Sequence, residues 1–174
     1  EEYLLQKVAN INTSNSEIVT GLLGEHVLMI SNRKPIFSND HKIRNTTFDL
    51  YLLEKGDNYQ ALSLIEENDT LPSIKNVGSA YYHQADSTLW YTTADNPRKE
   101  DGNTLKIYSV KLQNGSWSEA VPFKHNSPEY SCAYPTLNNE GNQIFFSSNR
   151  PGTRGKLDLW YCNMLADGWS YPVW

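Results

Sequence analysis

The sequence has little of what usually announces a chemistry. Its 174 residues include only two cysteines, Cys132 and Cys162, too few for a disulfide framework and in no CxxC pair. Basic residues are in deficit, with 15 Lys and Arg against 20 Asp and Glu and a formal charge of -5. That balance leaves no electrostatic footprint for nucleic acid or for an anionic membrane. No apolar run approaches the roughly 18 residues that a helical membrane span needs, and the first residues do not show the basic-then-apolar order of a signal peptide.

Catalytic patterns are missing as well. His26, His41, His83 and His125 are scattered without HxH or HExxH spacing, so a metal-hydrolase reading has no support. They read as solvated or hydrogen-bonded loop histidines. The chain carries no GxSxG elbow, P-loop, GxGxxG or sialidase-type Ser-x-Asp-x-Gly-x-Thr-Trp string, which sets aside serine-hydrolase, nucleotide and sialidase chemistry. Carboxylates do cluster at Glu66, Glu67 and Asp69, and at Asp95, Glu100 and Asp101. Glycoside hydrolysis needs two carboxyls facing across a substrate, and these polar loop clusters read as solvated surface. Asp95, Asp101 and Asn103 supply oxygen donors suited to calcium, but not at EF-hand spacing. Asn12, Asn45, Asn68 and Asn114 open N-x-[ST] strings, which an Asn-rich chain produces by chance. No catalytic, cofactor-binding or metal-binding residue is assigned, and the segment reads as non-enzymatic.

Aromatic residues, by contrast, are abundant: 11 Tyr, 5 Trp and 5 Phe make 12% of the chain. This is ample apolar surface to offset the entropy of folding, and it excludes a disordered chain. Short runs rich in Tyr, Phe, Trp, Val, Ile and Thr recur between clusters of Asn, Asp, Gly, Ser and Pro, the pattern of an all-β fold. The last stretch is clearest. It predicts strands over 131–137, 143–148, 157–164 and 169–174, joined as one antiparallel unit.

That unit repeats. Val27-Leu28-Met29-Ile30-Ser31-Asn32-Arg33 overlays Ile144-Phe145-Phe146-Ser147-Ser148-Asn149-Arg150 without a gap, and Leu89-Trp90-Tyr91-Thr92-Thr93 supplies a middle copy. The next strand recurs as Phe48-Asp49-Leu50-Tyr51, Leu105-Lys106-Ile107-Tyr108 and Leu157-Asp158-Leu159-Trp160. The fourth recurs as Trp117-Ser118 before Val121-Pro122 and as Trp169-Ser170 before Pro172-Val173. A tandem four-stranded repeat of roughly 50 residues is the signature of a β-propeller in which each repeat is a blade. The boundaries fall at 16–66, 74–123 and 129–174, with residues 1–15 read as the last strand of a preceding blade and a linker.

The string Ser148-Asn149-Arg150-Pro151-Gly152, followed by Leu157-Asp158-Leu159-Trp160 and Asp167-Gly168-Trp169-Ser170, resembles the TolB-like, WD-repeat-like propeller repeat. It is most similar to the version in large envelope proteins of Bacteroidetes that also carry an OmpA-type peptidoglycan-binding domain. Ile11-Asn12-Thr13-Ser14 resembles the blade-linking segment of that group. The resemblance departs in the middle repeat, where Thr93-Ala94-Asp95 stands in place of Ser-Asn-Arg. It implies a periplasmic or cell-envelope scaffold that docks protein partners, in some members within the type IX secretion and gliding machinery. Peptidoglycan contact would then come only through a domain outside this chain. Two rival functions fit the same fold: a glycan- or peptide-binding propeller attached to an enzyme, and the gating propeller of a prolyl-oligopeptidase-like peptidase.

The repeat motif, Ser31, Asn32, Arg33 and Asp49 with Ser148, Asn149, Arg150 and Asp158, carries further expectations. Arg and Asp flank neighbouring antiparallel strands, which predicts a cross-loop ion pair in each repeat, with Asp95 and Lys106 exchanging the signs in the middle one. Cys132 and Cys162 fall at opposite ends of strands separated by a third, too far for a bridge, and are expected free. Tyr81, Tyr82, Trp90, Tyr130 and Tyr134 are expected mostly between blades, with a minority at a channel mouth. The chain starts at Glu1 without Met and stops inside a strand-like run, so it reads as an excerpt. Three blades do not close a ring of four to eight, and the excerpt is expected to self-associate through its open faces.

Overall fold

The computed structural model describes residues 11–33, 48–55, 62–64, 74, 76–94 and 104–174. Among them there is no helix, and the strands form three antiparallel sheets. The described part of the protein is therefore all-β.

The first sheet is a meander of β1 (Glu17–Leu23), β2 (His26–Ser31), β3 (Asp49–Lys55) and β4 (Leu62–Leu64). In the second, β5 (Val77–His83), β6 (Thr88–Ala94) and β7 (Leu105–Gln113) are followed by β8 (Ser116–Trp117) and β9 (Val121–Pro122), both paired with β7. The third runs β10 (Cys132–Leu137), β11 (Gln143–Ser148), β12 (Asp158–Leu165) and β13 (Gly168–Trp169). Each first strand carries a register shift against its neighbour, between Val19 and Gly21, Val77 and Ser79, and Ala133 and Thr136.

Ladder registers reproduce the ungapped sequence overlay. Ser31 lies opposite Asp49, Thr93 opposite Lys106 and Ser148 opposite Asp158. Because side chains alternate along a strand, shared register gives each sheet two equivalent faces. One face of the first sheet holds Leu28, Ile30, Leu50 and Leu52, packed with Leu89, Tyr91, Tyr108 and Val110 of the second. The opposite face of the second sheet holds Trp90 and Ile107, packed with Ile144, Phe146, Trp160 and Cys162 of the third. Thus every central strand is apolar on both sides, which explains runs such as Ile144-Phe145-Phe146 where a sheet solvated on one side would alternate.

The fourth strand of the third repeat is shorter than the predicted 169–174. It pairs at Gly168 and Trp169, keeps one backbone bond from the Ser170 amide to the Asn163 carbonyl at 2.8 Å, then leaves the ladder until Tyr161 and Val173 exchange hydrogen bonds of 2.9 and 3.0 Å. Serine is the cause. Ser170 Oγ accepts from the Asn163 amide at 3.0 Å and donates to the Tyr171 carbonyl, so a side chain takes a bond the ladder would have made. Pro172 then has no N–H to offer. Ser118 does the same in the second sheet, accepting from the Lys111 amide at 3.0 Å and donating to the Glu119 carbonyl. This is the physical content of the recurring Trp-Ser pair.

Candidate interaction site

Ser-Asn-Arg forms a clasp that fastens the first and the third sheet to the segment leading into each. In the first sheet Ser31 Oγ accepts from the Arg33 amide at 3.1 Å and from Arg33 Nε at 3.2 Å. Arg33 Nη2 reaches back to the Ile11 carbonyl at 2.6 Å, and Asn32 Oδ1 accepts from the Ser16 amide at 2.8 Å. In the third sheet Ser148 Oγ accepts from the Arg150 amide and Nε at 3.2 and 3.4 Å. Arg150 Nη2 reaches the His125 carbonyl at 3.2 Å, and Asn149 Oδ1 accepts from the Ser131 amide at 2.7 Å. Both serines are fully buried and both arginines nearly so. A buried guanidinium must have its donors satisfied, and only its rigid fork can serve a hydroxyl and a distant carbonyl together.

The predicted Arg–Asp pair is not what neutralises these cations. Asp158 accepts instead from the Arg154 amide at 2.5 Å, while the Arg150 guanidinium lies 5.0, 5.3 and 5.2 Å from the rings of Tyr130, Phe146 and Trp160. A guanidinium sunk among rings is directed away from a loop carboxylate, and cation–π attraction takes over part of the carboxylate's role. In the first sheet the carboxylate partner is Glu17, with Oε1 at 3.3 Å from Arg33 Nη2, and the Tyr51 ring lies 5.3 Å from the guanidinium. Glu17 stands opposite Ser31 in the ladder, as Cys132 stands opposite Ser148. The ladder sets Ser31 between Glu17 on β1 and Asp49 on β3, and the guanidinium pairs with Glu17 rather than with the expected Asp49. The middle repeat's Asp95 lies outside the described residues.

Burial works to raise the Glu17 carboxyl, but bonds from the Thr13 hydroxyl and amide, the Arg33 charge and Ser31 together hold it below its usual value. His125 is pushed below the usual histidine range, first by burial and then by the nearby charges of Arg150 and Lys124, against the opposing bond to Ser170. Its Nε2 lies 2.6 Å from that carbonyl.

Around this clasp the segment from Phe123 to Asn126 joins the second sheet to the third. Phe123 is buried, with its ring centroid 6.3 Å from that of Trp90 and 5.2 Å from that of Phe146. Asn126 accepts from the Ile107 amide at 3.0 Å and donates to the Ile107 carbonyl at 2.7 Å. A second tie runs through His83, whose Nδ1 is 2.7 Å from Asp86 and whose Nε2 is 3.2 Å from the Asn139 carbonyl. These residues carried no repeat signal, because connectors differ between repeats.

Trp169 is buried at the same joint, edge-on to Trp90 at 5.9 Å, while half-buried Trp117 sits edge-on to Tyr82 at 6.3 Å. Tyr81, Trp90 and Tyr130 belong to the core between the second and third sheets, and Tyr82 to that between the first and second. Tyr134 is the exposed one, at φ 57° inside the irregular stretch of β10. Both cysteines are free and buried, and burial pushes the Cys162 thiol up to about 11. Among the described residues no three His, Cys, Asp or Glu gather where they could hold a metal, and no helix is long and apolar enough to cross a membrane. Asp95, Asp101, Asn103 and the carboxylates at 66–69 lie outside the described residues.

The outer face of the third sheet is open. Leu159 is 66% exposed and Leu165 53%, and Tyr171 and Trp174 on the adjoining segment reach 87% and 65%. The equivalent residues of the first and second sheets, Leu50 and Ile107, are covered by the sheet that follows. A scan against protein-family models found no match, and no curated protein matches the chain.

Proposed function

We propose that the chain is a non-catalytic β-propeller segment of a bacterial envelope protein and that it docks protein partners. One observation carries the reading. Three sheets of common register stack in chain order, each offering the same face to the next, and the third keeps that face uncovered. Stacking of this kind is how blades build a ring. The clasp supports a structural role for the motif, since both arginines bond the carbonyl of an incoming connector. The envelope location and the link to peptidoglycan through a domain elsewhere follow the motif resemblance, and fold alone fixes no activity.

Fractionation of source cells, with immunodetection through an antibody to residues 96–103, tests this proposal. A large polypeptide in the envelope or peptidoglycan-associated fraction supports it. A cytosolic band near the 19.9 kDa of this chain overturns it.

A further inference from the structure

The outer edge of β7 is closed at Ile107 by the connector that follows β9. The Phe123 amide donates to the Ile107 carbonyl at 2.9 Å, and the Asn126 carboxamide both accepts from and donates to the same residue at 3.0 and 2.7 Å. Phe123 then fills the space beside Trp90. The edge of the second sheet is thus read by an apolar ring and, three residues on, an asparagine.

Leu159 holds the position of Ile107 in the third sheet. Ile107 lies opposite Thr92 and Leu159 opposite Ser147, residues that overlay in the repeat. Ser109 pairs with Val121 as Tyr161 pairs with Val173, two residues further along each strand. Since Tyr161 gives both its backbone groups to Val173, the alternation of an antiparallel ladder turns the N–H and C=O of Leu159 toward the same edge. No described residue takes them. Ile107 is fully buried where Leu159 is 66% exposed. Phe145, at the place of Trp90, is half-buried.

We infer that the open edge at Leu159 receives an extended segment bearing a large apolar residue and, three residues later, an asparagine. The ring lies over Phe145 and the carboxamide spans the Leu159 peptide groups. This is recognition by backbone pairing with a side-chain pocket for specificity. It rests on the repeat reading proposed above and names the chemistry of the partner for the open face.

The test extends the full chain after Trp174 with Phe-Lys-His-Asn-Ser, a copy of residues 123–127, which follows Trp174 as Phe123 follows Pro122. A control extension carries Ser for the Phe and Ala for the Asn. Amide hydrogen exchange at Leu159 is expected to slow about tenfold or more with the first extension and to stay unchanged with the control. Equal exchange in both overturns the inference. Should the extended chain fail to fold, a free peptide with the sequence of residues 120–127 is titrated into the unmodified chain. An amide shift at Leu159 that needs the Asn supports the inference, and its absence overturns it. Either negative leaves the envelope reading intact, because that reading answers to fractionation.

Discussion

Arg150 Nη2 lies 3.5 Å from the sulfur of Cys132, where the equivalent Arg33 meets the Glu17 carboxylate at 3.3 Å. The same clasp is therefore built once around an ion pair and once around a thiol and three rings. In both, the arginine serves a buried serine and a carbonyl from the incoming connector, and these bonds are common to the two repeats.

Replacing either arginine by lysine is expected to weaken the fold, because one ammonium cannot bond the serine and span to the carbonyl. Arg150→Lys and Arg33→Lys should each cost about 1–3 kcal/mol, the range for leaving buried acceptors unsatisfied. Urea denaturation measures it. An unchanged midpoint for Arg150→Lys would remove the clasp from the account of stability.

Acid should destabilise the protein in two steps. The folded pKa of His125 lies below its usual 6.5, so the unfolded chain binds the proton first and stability declines as pH falls from about 6.5. The folded pKa of Glu17 lies below 4.5, so its contribution is complete above that value and is lost as pH falls beneath it. Stability against pH for His125→Gln should flatten the first step and for Glu17→Gln the second. An unaltered profile in both would mean that other groups set the acid limb.

Gly141 cannot accept a side chain. Its φ is 70°, and an added Cβ would sit 2.6 Å from the His83 imidazole. Gly141→Ala is expected to cost about 1–3 kcal/mol through overpacking and strain. In the background of His83→Ala the penalty should shrink, since the clash is gone and the strain remains. Strict additivity in that cycle would show that the two turns do not press on each other.

Neither thiol should react in the native state. Cys132 and Cys162 are fully buried, and the Cys162 thiol, at about 11, has almost no thiolate at neutral pH. A chromogenic disulfide reagent should titrate two thiols per chain only after unfolding. Fast labelling of the native protein would contradict the core placement.

Leu159 and Leu165 leave an apolar face of the kind that drives association. Sedimentation should show a concentration-dependent mass, and Leu159→Lys should reduce it. A monodisperse monomer before the substitution would mean that the face is tolerated by water as it stands.

Much of this architecture was legible in the chain. The overlay of Ser31-Asn32-Arg33 on Ser148-Asn149-Arg150 located equivalent strand ends, and observed registers agree because a one-residue slip would turn every apolar side chain to the wrong face. The cysteines, expected free from strand order, are both free. The Trp-Ser pair marked the fourth strand of the second and third repeats, though its break at Ser170 depends on a hydroxyl competing with the ladder, which composition does not reveal.

Strand order and the apolar character of both sides of the central strands were determined by the sequence alone, since periodicity and turn chemistry act locally and recur with the repeat. The partners of the buried arginines, the plug at Phe123, the bracket of Asn126 on Ile107 and the exposure of Leu159 were decided by tertiary structure. Each depends on which residues the ladder sets opposite one another and on which sheet comes to lie over a given face. Those relations join residues far apart in the chain, and no spacing along it encodes them.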